Sequence, residues 1–174
     1  MRVMIVGGGK VGYYMAKTLL DHGHQPIVIE KDRKLCSQVA NDLDIPVTQG
    51  DGSTVEYLEA AGCGRCQALV AVTGRDEVNL ITCQIAKRVF HVEKTVARVN
   101  NPKNTEVLRR LGVDIHKCLV LEDSFNGVRA GHAAGAVTVM VPDIAQPDEE
   151  IRTLYNRCCR DLHEVRQLLL DGQL

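Results

Sequence analysis

The sequence predicts an α/β fold, a doubly wound and mainly parallel sheet flanked by helices. Three observations predict it. Short apolar and β-branched segments, bounded by Gly, Pro, Asp or Asn, alternate with segments whose apolar residues recur at three and four. The alternation persists through most of the chain, and strands separated by helices are joined by right-handed crossovers that make them parallel. A glycine-rich turn stands between the first strand and the first helix.

Strands are expected at 2–7, 25–30, 46–49, 68–73 and 95–99. Helices are expected at 10–22, 32–42, 53–61, 76–89 and 103–111, the first carrying Val11, Met15 and Leu19 on one face. Gly23 and Gly112 stand at helix stops. Beyond Gly112 the rhythm continues, with strands at 118–121 and 137–141, a helix at 123–134 closed by Gly135, and a loop at 142–147. Residues 148–170 read as mostly helical with a break near 158–161; Ile151, Leu154, Tyr155, Leu162, Val165, Leu168 and Leu169 face inward.

Composition narrows the function classes. The 174 residues are 45% hydrophobic, enough for one packed core. A formal net charge of −1, no Trp and two Phe argue against nucleic-acid binding through phosphate attraction or base stacking. No apolar run approaches the ~18 residues of a membrane span. The start of the chain lacks the zones of a signal peptide, which points to the cytoplasm. The seven cysteines then read as thiols, many of them buried. Cys63 and Cys66 form a C-x-x-C, but no second half-site follows at zinc spacing, so no metal site is expected there. The vicinal Cys158 and Cys159 are read in the same way.

The chemistry concentrates in Gly7-Gly8-Gly9-Lys10-Val11-Gly12, a G-x-G-x-x-G that follows a strand and opens a helix. Gly7 permits the tight turn, Gly9 lets a pyrophosphate approach the backbone, and Gly12 lets helix and strand pack closely. Bare N–H groups at the helix start would then face the anion. Glu30 ends the second strand, 18 residues after Gly12, where an acid accepts hydrogen bonds from the adenosine ribose. A carboxylate there repels a 2′-phosphate, so NAD(H) or an adenosine nucleotide (ADP, ATP or AMP) is favoured over NADP(H). The fold is therefore Rossmann-like.

Five ordered motifs extend this reading: VGGGKVGYYMAKTL at 6–19, VIEKD at 28–32, GDGS at 50–53, ALVAVTGRDEVNL at 68–80 and ARVNNPKN at 97–104. Over about 1–114 the chain resembles the TrkA-N, or RCK, nucleotide-binding domains that regulate potassium-uptake systems and related channels. The resemblance implies that Gly7 to Val11 hold the phosphates, with Lys10 as a cation in reach, and that Glu30 holds the ribose. It implies that Asp51, Gly52 and Ser53 lie near the adenine end, that Thr73 and Gly74 contact the dinucleotide, and that Arg98 approaches the phosphate or distal ribose. All fall at or near carboxyl ends of parallel strands, where open α/β sheets bind ligands. Asp76 and Glu77 read as first-turn helix acids. The resemblance further implies a homo-oligomer, a dimer or higher, and a potassium-transporting membrane subunit as partner, which would hold the protein at the inner face of the membrane.

The tail departs from that family. CLVLEDSFNGVRAGHAAGAVTVMVPD at 118–143 and DLHEVRQLLLDG at 161–172 resemble the C-terminal part of haloacid-dehalogenase-like phosphatases of the phosphoglucomutase type. Glu122 and Asp123 match acids that help bind magnesium there, but the nucleophilic Asp-x-Asp motif of that family is absent. Without it no phosphoenzyme forms, and Asp123 or Ser124 reads instead as a helix cap. The chain divides into a nucleotide-binding domain at 1–117 and a βαβα extension at 118–174 that continues the same sheet. It reads as a hybrid, natural or artificial, joined near 112–118. The expected function is a nucleotide-binding regulatory subunit and not an enzyme. The alternatives are a hybrid that only binds nucleotide, or an NAD-dependent oxidoreductase, for which no His has an Asp or Lys partner at a suggestive place.

Overall fold

The computed structural model describes residues 1–101, 104, 119–143 and 146–174. They form two compact units, Met1–Asn100 and Asn101–Leu174. The first unit alternates β1 (Arg2–Val6), α1 (Lys10–Asp21), β2 (Gln25–Glu30), α2 (Arg33–Leu43), β3 (Val47–Gln49), α3 (Val55–Ala60), a 3-10 turn (Cys63–Arg65), β4 (Ala68–Ala71), α4 (Asp76–Arg88) and β5 (Lys94–Ala97). Its five strands are all parallel, in the order β3-β2-β1-β4-β5. The order reverses direction between β1 and β4, so a crevice opens at the carboxyl ends of those two strands.

Why β1 sits at the centre follows from its composition. Both faces of a parallel sheet are covered, so a central strand needs apolar residues at every position. Met4 and Val6 pack with Ile29, Leu58, Leu69 and Ala71 on one face. Ile5 packs with Ala16, Val28 and Val39 on the other. Leu69 is fully buried, and truncation to Ala there costs about 2–5 kcal/mol. Local signals set the helix ends. Asp32 caps α2, its Oδ1 accepting from the Lys34 and Leu35 N–H groups at 2.8 and 3.0 Å. Gly23, with φ of +72°, turns the chain out of α1.

The second unit contains β6 (Leu119–Glu122), α5 (Phe125–Ala134), β7 (Val137–Met140), α6 (Glu149–Arg152), β8 (Arg157–Cys158) and α7 (Leu162–Leu170). Its strands pair in parallel in the order β6-β7-β8. Val128, Met140 and Ile151 form one small core, and Val139, Cys159 and Val165 another. Ser124 caps α5, its Oγ accepting from the Gly127 N–H at 3.1 Å and donating to Glu122 Oε2 at 3.0 Å.

Two expectations are corrected here. Within the second unit β7 is paired on both sides, with β6 and with β8. The stretch expected to be helical after residue 148 contains β8, a two-residue strand of exposed residues with no apolar pattern to announce it. Leu162 and Leu169 are exposed, while Ile151 and Val165 are buried as expected. The helix expected at 103–111, Gly112 and the strand start at Cys118 lie outside the described residues. Among the described residues no helix is long and apolar enough to cross a membrane.

Candidate nucleotide site

The first crossover turn is built as its glycines require. Gly7 has φ of +111°, and a Cβ there would meet the Thr73 nitrogen at 3.0 Å, so β1 and the end of β4 approach without room for a side chain. A Cβ at Gly12 would overlap the Gly7 carbonyl oxygen, so glycine at both positions lets α1 seat directly on the turn. Gly9 is the opposite case. A Cβ there would meet nothing within 4 Å, and the residue is exposed. Gly9 is the N-cap of α1, with φ of −66° and ψ of −171°, and it supplies no side-chain cap.

That uncapped start matters electrostatically. The first N–H groups of a helix have no intrahelical acceptor and carry the positive end of its dipole. In α2, α5, α6 and α7 an Asp or Ser side chain accepts from one of them. At α1 no side chain does, and the first turn holds no acid. Lys10 adds a positive, exposed side chain at the first helical position, and Val11 beside it is also exposed.

Glu30 lies against this turn. Its Oε2 accepts from the Gly8 N–H at 2.6 Å, and its Oε1 accepts from the Lys31 and Asp32 N–H groups at 2.7 and 2.8 Å. A Cβ on Gly8 would press on the Glu30 side chain at 3.1 Å, so Gly8 lets the carboxylate come to the turn. Asp51 follows β3, near Glu30 through the Gly50 N–H bond to the Glu30 carbonyl at 2.9 Å. Its Oδ1 accepts from Ser53 Oγ at 2.5 Å and Ser53 N–H at 3.0 Å, while Lys31 Nζ stands 3.3 Å from Oδ2. The Ser53 hydrogen bonds, with Lys31 in support, hold the Asp51 carboxyl below the usual carboxylate range. Gly52 is buried; a Cβ there would drive into Val6, and its carbonyl accepts from the buried Thr82 hydroxyl at 2.9 Å.

The ends of β4 and β5 meet at a side chain that sequence reasoning did not single out. Asn79 of α4 is fully buried and bonds to the backbone of both Thr73 and Arg98. The Thr73 hydroxyl lies 2.6 Å from Asn79 Oδ1 and 3.2 Å from the Arg75 carbonyl oxygen. Gly74 is exposed with open space at its Cα, and the Arg98 side chain is exposed. Asp76 receives the Asn100 backbone N–H at 2.6 Å, so this first-turn acid also ties down the chain after β5. The signal for Asn79 and Thr82 was present: they interrupt the stripe Asn79, Thr82, Cys83, Ala86 that α4 buries. Cys63 and Cys66 are buried in the same core, where burial pushes the Cys63 thiol up to about 12. Glu30, Asp51, Thr73, Gly74 and the glycine turn thus gather at one edge of the sheet, with Arg98 at the end of the neighbouring strand.

Comparison with known proteins follows the same outline. The family model described as "TrkA-N domain" matches residues 3–116. A Trk system potassium uptake protein TrkA homolog of Methanothermobacter thermautotrophicus is 40% identical over 114 residues, covering 66% of this chain and 52% of that protein. The chain therefore spans about half the length of that relative. The AMP-bound Kef CTD of Shewanella denitrificans is 27% identical with a TM-score of 0.57, over 66% of this chain and 69% of that one. The TrkA-N domain of the inner membrane protein ybaL from Escherichia coli superposes over 98% of this chain and 94% of its own, with a TM-score of 0.51 at 13% identity, a likeness of fold.

Proposed function

The chain belongs to the TrkA-N domain family, and from that premise we propose that it is the nucleotide-binding regulatory part of a potassium uptake system. The observation that carries the proposal is the bare amino end of α1. It faces open space at Gly9, and the Glu30 carboxylate stands one strand away. A diphosphate at Gly7 to Gly12 would accept from those N–H groups and lie near Lys10. An adenosine ribose would share Glu30, whose two oxygens retain lone pairs beyond the three N–H bonds they accept. Asp51, Gly52 and Ser53 would border the adenine, and Gly74, the Thr73 backbone and Arg98 would meet the distal half of a dinucleotide. The ligand is NAD(H), or an adenosine nucleotide such as AMP, ADP or ATP.

The partner follows from the family: a potassium-transporting membrane subunit, with the regulator on the cytoplasmic side and assembled as a homo-oligomer. Residues 118–174 are read as a haloacid-dehalogenase-like extension without phosphatase chemistry, on the strength of its sequence run and the parallel βαβ order of β6, α5 and β7. Calorimetric titration with NADH, NAD, AMP, ADP and ATP tests the central claim. Saturable binding of at least one, lost in Gly9→Val and weakened in Glu30→Ala, is expected. Absence of binding by all five would overturn the reading.

A further inference from the structure

Asn79 uses its whole carboxamide. Its Oδ1 accepts from the Thr73 N–H at 2.9 Å and lies 2.6 Å from the Thr73 hydroxyl. Its Nδ2 donates to the Thr73 carbonyl at 3.1 Å and to the Arg98 carbonyl at 2.8 Å. The opposite amide orientation would set NH2 against N–H and oxygen against two carbonyls, so these partners define the orientation. The position in the sheet gives this bond set its meaning. Residue pairing between β4 and β5 runs from Ala68 with Lys94 to Ala71 with Ala97 and stops there. Past the last pair one more backbone bond follows, from the Arg98 N–H to the Ala71 carbonyl at 2.8 Å, and Asn79 then ties Thr73 to the Arg98 carbonyl. Asn100 adds a second tie, donating from Nδ2 to the Thr73 carbonyl at 3.0 Å.

The two halves of the crevice are thus set by different groups. On the β1–β2 side, Glu30 bonds to Gly8, Lys31 and Asp32 and not to Asn79, and the glycine turn meets Thr73 only by packing at Gly7. On the β4–β5 side, Asn79 links Thr73, the residue before Gly74, to the Arg98 carbonyl. We infer that Asn79 is a positioning residue for the distal half of the site, fixing Thr73-Gly74 and Arg98 so that a dinucleotide, but not a mononucleotide, depends on it. This inference rests on the nucleotide-binding reading above.

The test uses the full chain with two probes, NADH and AMP, titrated calorimetrically into wild type and Asn79→Asp. The substitution keeps shape and acceptor but removes both donors and sets a carboxylate against two carbonyl oxygens. NADH affinity should fall about tenfold or more, the scale of two lost hydrogen bonds, while AMP affinity changes less than about twofold. Equal NADH affinity, or equal losses for both probes in a folded variant, would overturn the inference, because a merely structural role gives no such split. If circular dichroism shows Asn79→Asp to be unfolded, Asn79→Ser carries the test. It takes the amide away from the Arg98 carbonyl without adding a charge and should weaken NADH about threefold or more, with AMP changed less than about twofold; unchanged NADH affinity, or equal losses for both probes, would overturn the inference. Wild type that binds AMP but not NADH removes this inference and leaves the nucleotide reading; wild type that binds neither removes both.

Discussion

Gly9 and Gly12 are three residues apart in one motif, yet alanine at each should do opposite things. At Gly12 the new Cβ meets backbone: it overlaps the Gly7 oxygen and lies 2.9 Å from the Gly7 carbonyl carbon. Backbone cannot rotate away, so α1 must lift from β1, an overpacking penalty of about 3 kcal/mol. For a unit of this size that lowers the melting midpoint by on the order of 10–20 °C. At Gly9 the new Cβ meets nothing within 4 Å, and φ of −66° with ψ of −171° suits any residue. Alanine is a poorer N-cap than glycine by about 0.5–1 kcal/mol. Its lower unfolded-state entropy offsets about 0.4–1 kcal/mol of that. Gly9→Ala should therefore keep its stability within about 1 kcal/mol of wild type, while its methyl group occupies the space a phosphate needs. Urea denaturation and nucleotide calorimetry on the two variants separate these effects. A Gly9→Ala protein that binds nucleotide as tightly as wild type, or a Gly12→Ala protein of wild-type stability, would refute the steric reasoning.

Other outcomes can be checked with the same samples. Asp51 has a folded-state carboxyl pKa below its unfolded one, so it adds stability above the unfolded value, and that contribution vanishes as pH falls through the folded value. Ser53→Ala should accordingly be less stable than wild type at neutral pH, and the gap should close at acid pH in denaturation curves measured along the pH axis. Burial pushes the Cys83 thiol, like that of Cys63, up to about 12, whereas Cys158 is exposed. Iodoacetamide on the native protein should label Cys158 while Cys63, Cys66 and Cys83 stay protected until urea is added, as peptide mass spectrometry would show. Glu30→Gln removes the charge that opposes a 2′-phosphate and exchanges one acceptor oxygen for an NH2 group. Calorimetry should show NADPH gaining on NADH in relative affinity, and an unchanged ratio would detach Glu30 from the ribose.

Much of the first unit was legible because its determinants are local. β2 occupies 25–30 as its Gly- and Glu-bounded apolar run indicates, and α1 begins at Lys10 directly after the glycines. Glu30 faces the turn because strand end and turn are adjacent in any parallel βαβ unit. Asn79 escaped notice for a physical reason: its partners, Thr73 and Arg98, are 6 and 19 residues away and meet it only once β4 and β5 are side by side. β8 has no pattern to read, since its two residues are exposed and its order comes from pairing with β7.

The bond from the Gly8 amide to Glu30 has a kinetic consequence. A loop already fastened to its neighbouring strand has surrendered its freedom during folding. An arriving anion would then meet a turn already fastened at Gly8, with less backbone left to order. Encounter and the shedding of water should govern the on-rate, so recognition at this turn would run at the pace of diffusion rather than of loop closure.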